Sequence, residues 1–299
     1  ETLIDAPRSD GIAHGTGAAG VIAGGQPGFS KHVGIAPDAD LIMASDTQGG
    51  ALVKMADYCV DEGARVVLHE YAPWVGYDLD GSSDMEALID DTSAAGVSHI
   101  NPAGNLAGSD KLMKRTIPAG QQTVIPIEAP DGPYNLIGLS LLWREPSRDL
   151  VVTLQDPTGA TAAAAALDDL VYEPWHDGLL IYSERTLSSR GTSRIDFYVF
   201  GGGPSPPPID SGTWSLHITD TATDGSPALP IIGYVLDDVS SWGHGIYFPE
   251  SPSEEHLIGY PGTADHGLAV AAYTGHGFFG GTPGLQAGYS GRGHRIVGR

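Results

Sequence analysis

The chain has 299 residues, 41% of them hydrophobic, which is enough for one large domain or two ordinary ones with a real core. A formal charge of −22 argues strongly against nucleic acid as a partner, because phosphate would be repelled, and it keeps an exported or salt-exposed protein in solution. The single cysteine, Cys59, excludes an internal disulfide, no apolar run reaches membrane-span length, and no signal peptide is visible.

Residues 1–13 are polar and turn-like. A run of small residues from Thr16 to Ala23 then predicts a tightly packed helix with His14 in its first turn. Imidazole exchanges protons near neutral pH, so a histidine there is a candidate acid–base group facing a cleft, with the helix buried behind it. Pro37 forces a turn, and Leu41–Ala44 is a short apolar run suited to a buried strand. Leu52, Met55, Ala56, Cys59 and Val60 line one helical face that closes at Gly63. Arg65–Leu68 reads as a strand, and Ser83 with Glu86 forms a capping box for a helix carrying Met85, Leu88 and Ile89. Val97–Ile100 is another strand. This tight alternation predicts a parallel sheet with helices on both faces and a ligand site beyond the carboxyl ends of its strands, where Glu70–Trp74 and Asn101–Asn105 fall.

From about Ser109 the texture changes. Gln121–Ile127, Leu136–Trp143, Leu150–Gln155, Leu179–Tyr182, Arg194–Phe200, Thr213–Thr219 and Ile231–Leu236 read as strands separated by Pro, Gly, Asp and Ser. They predict an antiparallel, jelly-roll-like sandwich with its own core around Trp143, Phe197, Tyr198 and Trp214. The alanine-rich stretch Thr161–Leu167 is too short for a convincing helix. At Tyr260–Tyr273 a turn again feeds an apolar strand, so the expected division is residues 1–108 and 251–299 as two parts of one α/β domain, interrupted by an inserted sandwich over 109–250.

The block His14-Gly15-Thr16-Gly17-Ala18-Ala19-Gly20 resembles the histidine motif of the subtilisin-like serine proteases (subtilases, peptidase S8). Further blocks resemble the same family in family order: Val33–Pro37 with Asp40-Leu41, Asp61–Leu68, Ala103-Gly104-Asn105, Tyr260–Tyr273 and Tyr289–Gly293. The resemblance covers roughly 11–108 and 256–299. It implies a mostly parallel subtilisin-like α/β sheet and a serine endopeptidase acting through an acyl-enzyme on a peptide or protein substrate. His14 would be general base then acid, and Asn105 the oxyanion donor. Glu70, Tyr71, Ala72, Ala103 and Gly104 would line the substrate. An exported, bacterial-type protein of the medium or cell envelope is implied, with neither nucleic acid nor membrane as partner.

Departures from the pattern limit what carries over. The substrate segment reads His69-Glu70-Tyr71-Ala72-Pro73-Trp74 where the family usually has Ser-(Leu/Met)-Gly, and Pro73 cannot donate a ladder hydrogen bond. A step of nine positions from Asp5 to His14 leaves little room for the family's aspartate strand; Asp10 is the other upstream aspartate. Gly191-Thr192-Ser193 spells the nucleophile triplet but precedes an aromatic strand rather than a small-residue helix, so Ser193 is rejected. The nucleophile and orienting aspartate are expected outside this segment, which alone would be inactive. No cofactor is expected: His244, His256, His266, His276 and His294 lack ligand spacing, and Asp237-Asp238 and Asp168-Asp169 are the only hints of calcium. The alternatives are a non-catalytic relative whose cleft binds without cutting, or a protein- or carbohydrate-binding sandwich on a protease-like scaffold.

Overall fold

In the computed structural model the described residues are 14–44, 51–165, 170–223, 225–239, 245–275 and 281–296, and they form three α-helices and thirteen strands. Asp5, Asp10, Asp168, Asp169, His244 and His276 lie outside them. Among the described residues no helix is long and apolar enough to cross a membrane.

The first part of the chain follows its local signals. α1 runs from His14 to Ala23 and α2 from Leu52 to Asp61, the latter burying Ala56 and Cys59. The chain leaves α2 through Gly63 at φ +92°, a left-handed turn that resists any side chain. α3, Asp84–Ala94, begins at a complete capping box, in which the Ser83 hydroxyl accepts from the Glu86 amide and the Glu86 carboxylate accepts from the Ser83 amide. Its Met85 and Ile89 are fully buried. Strands β1 (Val66–Leu68) and β2 (Ser98–Pro102) run parallel with Leu68 opposite Ile100.

Ten further strands make two antiparallel sheets. They are β3 (Leu112–Ile117), β4 (Gln122–Ala129), β5 (Leu136–Trp143), β6 (Leu150–Gln155), β7 (Thr161–Ala165), β8 (Leu170–Pro174), β9 (Leu179–Leu187), β10 (Ser193–Gly201), β11 (Gly212–Asp220) and β12 (Leu229–Asp237). The six-stranded sheet has the order β3-β12-β5-β10-β9-β8, the four-stranded sheet β4-β11-β6-β7. One core lies between them: Ile137, Leu139, Leu141, Trp143 and Phe197 from the first meet Ile125, Ile127, Leu154, Trp214 and Leu216 from the second. β5 is buried along almost its whole length and carries one polar side chain, Ser140, because it is covered on both faces. Its Leu142 joins Leu112 and Tyr234 in a second core with Val75, Leu79, Met85, Ile89, Leu257 and Tyr260. Tyr198 packs against this second core, not the sandwich core expected of it, because on β10 it points opposite to Phe197.

β13 (Leu268–Val270) then returns to β2, in parallel, with Val270 opposite Pro102. The last described segment closes on the same place. The Gly291 amide donates to the Gly104 carbonyl at 2.7 Å, and the Ala107 amide to the Tyr289 carbonyl at 3.1 Å.

The expectation of a mostly parallel, subtilisin-like α/β fold is therefore corrected. Only the three strands β1, β2 and β13 are parallel, against ten antiparallel ones. Two local readings produced the error. Leu41–Ala44 forms no strand and is exposed, so the parallel sheet gains nothing there, and α1 has no buried residue, so it is not packed against the sheet. The apolar pattern also under-counted the antiparallel part: β3, β7 and β8 were not foreseen, β7 because alanine carries little strand signal.

A Cβ on Gly291 would stand 2.0 Å from the Ala103 carbonyl oxygen, whereas one on Gly288 meets nothing within 4 Å. Gly291→Ala should thus destabilise the protein by about 3 kcal/mol in urea unfolding, with backbone rather than a flexible side chain forced to move. Gly288→Ala should change stability by no more than about 0.5 kcal/mol.

Candidate functional site at the carboxyl ends of the parallel strands

His14 is the first residue of α1 and stands open to solvent. Its Nε2 lies 2.8 Å from Oε2 of Glu70, with side-chain exposures of 69% and 40%. Glu70 is two residues past the end of β1, so the imidazole reaches the carboxyl edge of the parallel sheet. Across that edge, a Cβ on Gly104 would be 3.7 Å from the Ala72 Cβ, which puts the segment after β1 beside the loop after β2. Gly104 takes φ +87° and turns the chain into Asn105, which is half-buried and whose side-chain amide makes no hydrogen bond among the described residues. His14, Glu70, Ala72, Gly104 and Asn105 thus belong to one strip.

Of the residues expected to line a substrate, Glu70 alone is exposed. Tyr71 turns inward, its hydroxyl 3.2 Å from Nδ1 of His69, and burial pushes the phenol well above its ordinary range. Ala103 is buried, and the segment's backbone is already engaged: the Pro73 carbonyl accepts from the Tyr260 amide at 2.9 Å, and Gly259 packs directly on Ala72. The hydrogen-bond partner of His14 was not legible in the chain, since the two groups stand 56 positions apart.

Ser193 sits at the start of β10, opposite Trp143 and Leu187, and is buried. Its neighbour Thr192 donates to Oδ2 of Asp80 at 2.6 Å, as does Ser188, and Asp80 is fully buried. The Gly-Thr-Ser triplet is thus part of the bonding that ties residues 78–82 to the β9–β10 turn. Among the described residues the ligating groups that converge closely enough to hold a metal are Asp156, His176 and Asp210, in the connections of the antiparallel sheets and not at His14.

Next to Glu70, four side chains form a chain around the buried His69 and His99. The Thr92 hydroxyl donates to the Leu88 carbonyl at 2.5 Å and so accepts from Nε2 of His99 at 2.8 Å. That leaves His99 Nδ1 as acceptor for His69 Nε2 at 3.0 Å, and His69 Nδ1 as acceptor for Tyr71. This assignment gives every proton one place while both rings are neutral. Burial first, and the neighbouring His99 second, push His69 down to about 4, and burial lowers His99 as well.

The unfolded chain binds that proton near pH 6.5, so His69 contributes stability that is complete above pH 6.5 and is lost as pH falls toward 4. At pH 5, above most carboxylate titration, the loss should reach about 2 kcal/mol. Urea midpoints at pH 7 and pH 5 should differ accordingly in the natural protein, and the gap should narrow in His69→Gln.

A family model described as the subtilase family, peptidase S8, matches residues 4–215. The match runs through both antiparallel sheets as far as β11, farther than the 11–108 block seen in the sequence. Among solved structures, the Clostridium perfringens CspB protease is similar with a TM-score of 0.60 and 17% identity, over 81% of this chain and 48% of that one. The likeness is one of fold, and the chain spans about half the length of that protein. No curated protein matches the chain. With 212 of 299 residues inside the family model (215 − 4 + 1), the chain belongs to the subtilase family.

Proposed function

We propose that this chain is part of a subtilisin-type serine endopeptidase that hydrolyses peptide bonds through an acyl-enzyme, with His14 as general base then acid and Asn105 as oxyanion donor. The observation that carries this reading is the strip at the carboxyl ends of β1 and β2. A solvent-open imidazole from the start of α1 meets Glu70 beyond β1, and an amide with no hydrogen bond among the described residues follows β2, the two segments touching at Ala72 and Gly104. In such a mechanism the imidazole takes the serine proton and hands it to the leaving amine, while the amide N–H stabilises the carbonyl oxygen as it becomes an oxyanion. The nucleophile and the carboxylate that orients His14 come from outside this segment in this reading, since Ser193 belongs to a buried strand. Support also comes from surface left bare: α1 buries nothing, and Val66, Leu68, Leu268 and Val270 expose apolar area of the kind that a further layer covers. Substrates are proteins or peptides, met outside the cell or in its envelope, where an acidic surface keeps the protein dispersed.

A second reading has its own observation. Glu70 holds Nε2, the nitrogen a serine–histidine pair gives to the hydroxyl, and the Gly259–Tyr260 segment already covers Ala72 and Pro73. A relative that binds peptides without cutting them would tolerate both.

One experiment separates the two. A fluorophosphonate probe should label a single serine in the full natural chain that carries these residues, and none in residues 1–299 alone. In the full chain His14→Ala should abolish labelling, and Asn105→Ala should leave a folded enzyme with kcat lower by roughly 10²–10³. No labelling of the full chain would favour the binding relative. Labelling at Ser193 would remove the active site from the strip altogether.

A further inference from the structure

Three connections of the antiparallel sheets bring ligating groups together. Asp156 follows β6 in the turn to β7, His176 opens the 3₁₀ turn His176–Gly178 between β8 and β9, and Asp210 precedes β11. The chain separations of 20 and 34 residues (176 − 156 and 210 − 176) match no metal motif, so the group is invisible in the sequence.

Nε2 of His176 lies 3.2 Å from Oδ2 of Asp156 and 3.5 Å from Oδ2 of Asp210, and the three ligating atoms all fall within 4.8 Å of one another. The Nε2–H would be shared between two carboxylates, and both distances exceed the range of about 2.7–2.9 Å for a charge-assisted hydrogen bond. The spacing instead suits the edge of a coordination tetrahedron: bonds of about 2.0–2.1 Å give ligand–ligand edges of about 3.3–3.4 Å. A second observation points the same way. Oδ2 of Asp210, on a side chain that is 39% exposed overall, is itself buried with no hydrogen-bond partner, an arrangement that costs free energy unless positive charge, from a protonated His176 at 3.5 Å or from a bound cation, faces it.

The surroundings hold each ligand in place. Oδ1 of Asp156 accepts from the Thr158 amide at 2.8 Å, the Thr158 hydroxyl at 2.7 Å and the Ala160 amide at 2.9 Å, which leaves Oδ2 turned to the imidazole. The indole N–H of the buried Trp214 donates to the Asp210 carbonyl at 2.9 Å. On the far side of the ring, Nδ1 of His176 meets Oδ2 of Asp177 at 3.2 Å. A carboxylate on the second nitrogen of a ligating histidine is the usual way to set its tautomer and raise its basicity.

We propose that Asp156, His176 and Asp210 form a binding site for a zinc-class divalent cation that clasps the two antiparallel sheets. β6, β7 and β11 belong to the four-stranded sheet, β8 and β9 to the six-stranded one, so the cation bridges connections of both. An imidazole ligand favours zinc over calcium and magnesium, which take oxygen. Three protein ligands leave the fourth position to water, reached from the side where His176 is open.

The test is calorimetric titration of the untagged, chelator-treated 299-residue protein with Zn²⁺ alone and with Ca²⁺ alone. One equivalent of Zn²⁺ should bind at micromolar Kd or tighter and raise Tm, while Ca²⁺ does neither. Asp210→Asn is the informative variant, because Oδ2 of Asp210 makes no hydrogen bond whose loss would unfold the chain. With unchanged far-UV circular dichroism it should weaken zinc by at least about 100-fold, and His176→Ala should do the same. Absence of stoichiometric zinc binding would overturn the proposal. So would zinc binding that neither variant weakens, or calcium binding in its place.

Discussion

The structure depends on one sheet being covered on both faces. Two neighbouring interior strands of the six-stranded sheet, β5 and β12, press Leu139, Leu141 and Val235 into the core between the antiparallel sheets, and Leu142 and Tyr234 into the core beneath α3. Hydrophobic burial here is not shared between two independent bodies; it runs through a common wall. Polar contacts add direction to it. The Trp74 indole donates to the Val235 carbonyl at 3.0 Å, the Gly76 amide to the Ser140 hydroxyl at 2.8 Å, and the Tyr234 hydroxyl to the His256 carbonyl at 2.6 Å. Each ties the loop after β1, or the segment before β13, to the sheet.

That wall positions the candidate strip. Residues 69–82 leave the parallel sheet, cross the six-stranded sheet and enter α3, and they are held along the way by Arg194 on Asp78 at 2.6 Å and by the hydroxyls on Asp80. The Glu70 end of this segment adjoins the His69–His99–Thr92 chain, so the residue that meets His14 stands next to the buried, fully paired His69. The same rigidity covers the backbone of Ala72 and Pro73 with Gly259 and Tyr260. The fold that steadies Glu70 thereby closes part of the surface a substrate strand would use.

Buried charge has a different part. Lys111 and Asp237 are both inaccessible and 2.7 Å apart, and the Lys111 ammonium also donates to the Ile246 carbonyl at 2.6 Å. Burial pushes the lysine below its ordinary range. Desolvation offsets much of the attraction in such a pair, so its main effect is selective: it fixes where the chain after β12 must return. Asp156, His176 and Asp210 use charge in the same way, joining connections that the backbone ladders leave apart.

The sequence by itself determined what is local. The α3 capping box, the α2 face with Gly63 behind it, and the strands β1, β2, β5, β6, β10 and β11 follow from capping atoms and side-chain period within a dozen residues. The histidine block and the Ala-Gly-Asn turn were legible for the same reason, and they pointed to the family that the chain belongs to. Only the tertiary structure decided the balance of parallel and antiparallel pairing, because a strand's sequence reports its burial and not its partner's direction. It also decided that Thr192 serves Asp80, that Glu70 meets His14, and that two aspartates converge on His176. Each joins residues some 20 to more than 100 positions apart, where side-chain period carries no signal and only the closed chain brings the groups within bonding distance.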